Sequence, residues 1–176
     1  MKLPVFILLL ALPFFTAAQD IQWKKDAPLT WKDFKGNPDE NRTAGATTYS
    51  RINYSAHRES ADTPYHFTFT VRCLFNSDKS WVKSDYKNKG VLAHEQLHFD
   101  ISELYARMLY DTLTKRVYTN DYKTEMHQIF LSVDKARKDM QHKYDEQVAH
   151  RNTGMQAVWD KHIHDELERV PSNYQQ

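Results

Sequence analysis

The chain has 176 residues, a formal net charge of +1 at pH 7, four glycines and a single cysteine, Cys73. Mixed charge of this kind gives no basic field for nucleic acid, one cysteine excludes an intramolecular disulfide, and so few glycines leave no loop to cradle a phosphate. Packing, a metal, or both must hold the fold.

The first residues read as a signal peptide. Met1-Lys2 is a short basic start, and Val5 to Leu12 is an apolar run. Thr16-Ala17-Ala18 supplies small residues at the −3 and −1 positions of a cleavage site, so residues 1–18 would be removed and Gln19 would begin the mature chain. The run is short of the roughly 20 residues that a membrane span needs, and no later segment is long and apolar enough. The expectation is export to the periplasm or beyond the cell. Residues 19–176 have the length of one domain.

Residues 20–45 read as irregular, with Trp23, Leu29, Trp31 and Phe34 available to cover a core and a turn at Gly36-Asn37-Pro38-Asp39. Residues 46–57 alternate weakly, with Ile52, Tyr54 and Ala56 on one face. Residues 64–75 alternate strongly. Tyr65, Phe67, Phe69, Val71, Cys73 and Phe75 share one face of a half-buried strand. Cys73 therefore belongs to a core.

Three helices follow. The first is expected from about Val91 to Val117, and Tyr118 to Asp121 interrupts it and caps the second. The second runs from about Tyr122 to Arg151 on a stripe that includes Met126, Phe130, Met140, Tyr144 and Val148. Asn152-Thr153-Gly154 is a break, and the third carries Met155, Val158, Trp159, Ile163 and Leu167 before Pro171. A small sheet first and helices after it make an α+β fold.

The first helix carries His94-Glu95-Gln96-Leu97-His98. Histidines four residues apart lie about 40° apart around a helix and one turn apart along it, so both can reach one metal ion. Glu95 points about 100° from His94, beside such an ion without being forced to ligate it. That is the arrangement a general base for metal-activated water needs. A catalytic zinc takes three protein ligands. Asp100 and Glu103 project about 140–160° away from His98 and are excluded by helix geometry. Glu125, His127, His162 and His164 remain available, and spacing favours His142, Glu146 and His150 along one edge of the second helix. Asp100, Asp145 or Asp160 could accept a hydrogen bond from a ligand imidazole.

Residues 29–36 (LTWKDFKG), Trp81 to Asp85, the run HEQLHFDISELYAR at 94–107, and Tyr144-Asp145…His150 followed by Gln156 and Trp159 together resemble one bacterial family. It is an uncharacterised family of predicted secreted zinc-dependent proteases, and the resemblance covers about residues 29–163. It implies a zincin-like fold, one zinc ion, His94 and His98 as ligands with His150 as the third, and Glu95 as general base. The family pattern has threonine two before the third histidine and glycine after it. Here Val148 and Arg151 stand there, which keeps Glu146 as the substitute ligand.

The expected chemistry is hydrolysis of a peptide or protein substrate, with Tyr144 as donor to the developing oxyanion. If Tyr144 does not serve so, it is a core aromatic of the second helix. An exposed sheet edge would bind the peptide as an added strand. Two rivals are a non-catalytic exported module that binds zinc or a partner, and a zinc hydrolase of a non-peptide amide. A purely structural site has no use for Glu95 and would recruit a fourth protein ligand.

Overall fold

A computed structural model of the chain describes residues 20–61, 64–148 and 153–170. Five strands precede three helices: β1 (Asp20–Gln22), β2 (Ala46–Thr47), β3 (Ser50–Arg58), β4 (Phe67–Asn76), β5 (Trp81–Val82), α1 (Lys89–Lys115), α2 (Tyr122–Val148) and α3 (Thr153–Arg169). The class is α+β, with a small antiparallel sheet and three helices. Strands β1, β4 and β3 form one sheet in that order, and β2 pairs with β5 in a second.

The strong alternation of the sequence becomes β4. Phe69, Val71, Cys73 and Phe75 are buried on its inner face, while Thr68 and Arg72 face water. In the register Ile52 lies opposite Cys73 and Tyr54 opposite Val71, so the weaker alternation of β3 joins the same face. Burial decides that register, because a slip of one residue would turn the whole apolar set outward. Ala56 departs from expectation: it shares the inner face but is exposed.

Helix α1 packs on this face and also against α2 and α3. Asn88 caps it, accepting from Val91 N at 3.0 Å. Residues 99–107 are buried at every position, more than two turns, so this helix has no solvent face there. The Phe75 and Phe99 rings meet at 5.7 Å, and Val71, Cys73, Leu97, Ile101, Leu109 and Leu113 share one core cluster. Cys73 is buried as expected, and burial pushes its thiol well above the usual range.

Buried polar groups on α1 pin the surrounding elements. Arg107 donates to Glu103 Oε1 at 2.9 Å and to the carbonyls of Leu167 and Val170 at 2.6 and 2.9 Å, which fixes the end of α3. Asp100 accepts from Trp23 Nε1 at 2.7 Å, which fastens the N-terminal segment. Ser102 Oγ meets Ser50 Oγ at 2.7 Å and receives Arg137 and Gln141 of α2 at 3.2 and 2.9 Å.

Several boundaries differ from the sequence expectations. Residues 20–45 are not wholly irregular, since Asp20–Gln22 pairs with β4. The strand begins at Phe67, and Tyr65 instead makes an isolated bridge with Tyr118. Thr153 and Gly154 open α3 rather than break the chain. The expected signal peptide lies outside the described residues. No helix among the described residues is long and apolar enough to cross a membrane.

Gly36 sits where the N-terminal segment crosses the loop before β5. Its N–H donates to Ser80 O at 2.8 Å, and a Cβ there would lie 2.7 Å from Asp78 O and 2.9 Å from Ser80 O. Both neighbours are backbone and cannot swing away. Gly36→Ala is expected to destabilise the protein by about 1–3 kcal/mol, read as a lower midpoint in urea unfolding at unchanged slope.

Candidate metal centre

Residues 94–98 occupy the second and third turns of α1, where the helix emerges from the core. The backbone of this stretch is held from outside. Glu95 O accepts from Thr48 Oγ1 at 3.1 Å. His98 O accepts from Ser102 Oγ at 3.1 Å and from Gln141 Nε2 at 3.2 Å. Gln96 accepts from Leu29 N at 2.7 Å and donates to Asp100 Oδ1 at 2.8 Å. Leu97 is buried. The inner and flanking residues thus anchor the helix and leave the two histidines facing α2.

The two imidazoles converge as the i, i+4 spacing predicts. Their Nε2 atoms are 3.2 Å apart. A third group meets them there: Asp145 Oδ1 of α2 lies 3.2 Å from His94 Nε2 and 2.9 Å from His98 Nε2. Among the described residues, these three make the cluster of ligating side chains close enough to hold one ion. Tetrahedral ligands about 2.1 Å from one zinc stand about 3.4 Å apart. The observed triangle is slightly tighter than that, so the donor set fits a zinc ion after a small expansion. Without an ion, imidazole N–H groups hydrogen-bond the carboxylate across the same space.

Glu95 lies beside the cluster. It is only 4% exposed, and its Oε2 has no hydrogen-bond partner among the described residues. An unpaired buried carboxylate oxygen costs several kcal/mol unless something polar reaches it. Water or a bound group at the cluster would supply that partner. The Asp145 side chain is 52% exposed, so the centre opens to solvent on the α2 side.

Tyr144, the expected oxyanion donor, packs against the cluster with its hydroxyl engaged by α3. It is fully buried, and its ring stacks on His94 at 4.6 Å and meets His98 edge-on at 5.1 Å. Its hydroxyl donates to Gln156 Oε1 of α3 at 2.6 Å. Burial pushes the phenol far above its usual range. The group is therefore a wall of the site with its hydroxyl already committed.

His150 lies outside the described residues. Glu146 is exposed and does not join the cluster. Glu125 is engaged by Thr119 and Arg116, and His164 approaches Asp100 at 3.6 Å. Of the three proposed imidazole acceptors, Asp100 serves Trp23 and Gln96, Asp160 accepts from Gln156 at 2.8 Å, and Asp145 touches both histidines directly. The sequence reading weighed Asp145 only as an acceptor. The available signal was its place in the Tyr144-Asp145 pair of the recognised element. Gln156 carried no assigned role, and nothing in its spacing gives one.

No protein-family model, curated protein or solved structure matches this chain.

Charge binds the cluster together. For His94, burial disfavours the cation, but the hydrogen bond to Asp145 and the charges of Glu95 and Asp145 outweigh it, and the net shift is upward. For Asp145, burial raises the carboxyl, but hydrogen bonds from both imidazoles and their charge hold it well below its usual range. In metal-free protein the raised imidazole stabilises the fold fully below its ordinary value of 6.5, and that contribution is lost as pH rises through the folded value. The depressed carboxyl stabilises fully above its ordinary value of 3.8, and that contribution is lost as pH falls through the folded value. The stability lead of metal-free wild type over Asp145→Asn should therefore peak between 3.8 and 6.5 and shrink on both sides. Thermal melts of both proteins across pH check this, and a pH-independent difference contradicts it.

Proposed function

We propose that this chain is a secreted zinc-dependent metallopeptidase on a zincin-like fold, with His94, His98 and Asp145 holding one zinc ion. The observation that carries the reading is the meeting of two Nε2 atoms and one carboxylate oxygen beside Glu95, whose buried Oε2 has no partner among the described residues. Asp145 takes the place expected for His150. A carboxylate is an ordinary third zinc ligand beside two histidines.

A bound zinc would polarise the scissile carbonyl and acidify water at the site. Glu95 accepts a proton from the attacking water through Oε2 and returns it to the leaving nitrogen. Because Glu95 is almost wholly buried, that proton stays within the site between the two transfers. His94 and His98 present Nε2 lone pairs, and Asp145 contributes a negative charge. Two neutral imidazoles and one carboxylate leave a bound dication with net positive charge, which favours a developing oxyanion. Tyr144 acts through His94, holding the imidazole plane by stacking. The exposed side at Asp145 admits the substrate.

Zinc content and hydrolysis of a mixed fluorogenic peptide library test the reading together. Wild type and Glu95→Gln should each hold one zinc per chain, and His98→Ala should hold none. Asp145→Ala should bind zinc at least tenfold more weakly. Glu95→Gln should lower hydrolysis by about 10²–10⁴-fold while keeping its zinc, and a chelator should abolish wild-type activity until zinc is returned. Wild type that takes up no zinc after reloading overturns the proposal. Zinc-loaded wild type that cleaves no peptide but cleaves another amide retains the centre and moves the substrate.

A further inference from the structure

Strand β3 is the outer strand of its sheet, since the order is β1-β4-β3, and among the described residues no strand pairs with its other edge. Helix α2 covers its inner face only in part. Tyr54 meets the Phe130 ring at 5.5 Å, but Ala56 and Arg58, further along the same face, are exposed. A cavity of about 370 Å³ opens there, and Tyr54, Ser55, Ala56 and Arg58 line one side of it. Successive strand residues point to opposite faces. A cavity that touches Tyr54, Ser55 and Ala56 in a row therefore runs along the edge of the strand, past its main chain. Phe67, Tyr122 and Met126 give it apolar walls, with Met126 buried and the Phe67 and Tyr122 rings 5.0 Å apart.

Two cations share this cavity. Arg58 ends β3 with its guanidinium over the Tyr65 ring at 5.6 Å, and Lys123 stands in the first turn of α2. Both are exposed, and neither makes an ion pair among the described residues. Glu59, the residue after Arg58, accepts instead from Thr68 Oγ1 on the outer face. An unpaired strand edge, apolar walls and two positive charges in one place select an extended peptide that carries a negative charge. In so small a cavity the apolar group and the charge must sit close together, and a C-terminal residue carries both on one Cα. We infer that this groove binds the C-terminal segment of a partner polypeptide: the segment adds to the edge of β3 as a strand, its last apolar side chain enters between Ala56, Phe67 and Met126, and its carboxylate meets Arg58 and Lys123. At about 1.5 Å per helical residue, Lys123 lies roughly 33 Å along α2 from Asp145. The groove is thus separate from the candidate metal centre, and the inference does not rest on the metallopeptidase reading.

Backbone amide shifts of the full, 15N-labelled chain are followed as acetyl-Val-Thr-Val-Phe with a free C-terminal carboxylate is added. The chain carries Glu95→Gln so that the peptide survives. Shifts should appear at residues 54–58, at Phe67 and at residues 122–126, and residues 94–98 should stay unmoved. The C-terminal amide of the same peptide should bind about tenfold more weakly, the loss of two exposed charge pairs. Arg58→Glu/Lys123→Glu should abolish that preference for the acid. Ala56→Trp, at an exposed position, fills the groove and should remove the shifts at an unchanged thermal midpoint; should it not fold, the charge-reversed variant decides. No shift at millimolar peptide overturns the inference, as does equal binding of acid and amide. Hydrocinnamate has the ring and the carboxylate but no main chain, so binding of it as tight as that of the peptide overturns strand addition. Shifts confined to residues 94–98 and Asp145 place the peptide at the candidate metal centre and overturn the groove. Sedimentation is run alongside, and a wild-type dimer that Ala56→Trp dissociates gives the edge to a second copy of this chain and overturns the partner.

Discussion

Helix α1 is buried on every side from Phe99 to Arg107, and that one constraint organises the molecule. Buried polar groups must find partners inside the protein, because an unmet one costs as much as several good apolar contacts return. Asp100, Ser102, Glu103 and Arg107 all lie in this stretch. Glu103 pairs with Arg107, and the other three each draw in different elements: Asp100 the N-terminal segment through Trp23, Ser102 strand β3 and helix α2 through Ser50, Arg137 and Gln141, and Arg107 the end of α3 through the carbonyls of Leu167 and Val170. The polar groups in the core are thus what fix the relative placement of layers that apolar packing alone would leave free to slide.

The candidate metal centre lies one turn before that sealed stretch, on the same rigid helix. The contacts that lock the core also steady the site. Ser102 and Gln141 hold the His98 carbonyl, and Gln96 ties the motif to both Leu29 and Asp100. From the open side, α2 brings Tyr144 and Asp145 as neighbours with opposite duties. Tyr144 is buried against both imidazoles, and Asp145 reaches their Nε2 atoms from the solvent edge. Ligands carried on packed helices lose little freedom when they converge, which is what a tight three-ligand site requires. Against this order, the buried Oε2 of Glu95 has no hydrogen-bond partner among the described residues.

Much of this architecture was legible in the residues. The alternation of β4 and the long apolar stripes of α1 and α2 named their own elements, because periods of two and 3.6 residues are local properties of the backbone. The paired histidines were legible for the same reason: their relation is set within one helical turn. The two-residue strands β2 and β5 were not, since Ala46–Thr47 and Trp81–Val82 carry no period and exist only through pairing with each other. The start of α3 was misplaced because Thr153-Gly154 reads locally as a break, although both belong to its first turn.

The third candidate ligand marks the boundary between the two kinds of information. By itself the sequence determined that His94 and His98 share one side of a helix, that Glu95 stands beside them, and that Asp100 and Glu103 point elsewhere. These are angles around a single axis, and they follow from residue spacing. Which residue of α2 faces that pair was decided only by tertiary structure. The choice depends on the crossing of α2 over α1, and the crossing is set by Arg137 and Gln141 on Ser102 and by Tyr144 packed on the imidazoles. Spacing along α2 offered His142, Glu146 and His150 as a set; the packing of two helices brought Asp145 to the pair, while His150 lies outside the described residues. The orientation of Gln156 was beyond the sequence for the same reason, since three helices must already be in place before a hydrogen bond from Tyr144 and one to Asp160 can fix an amide between them.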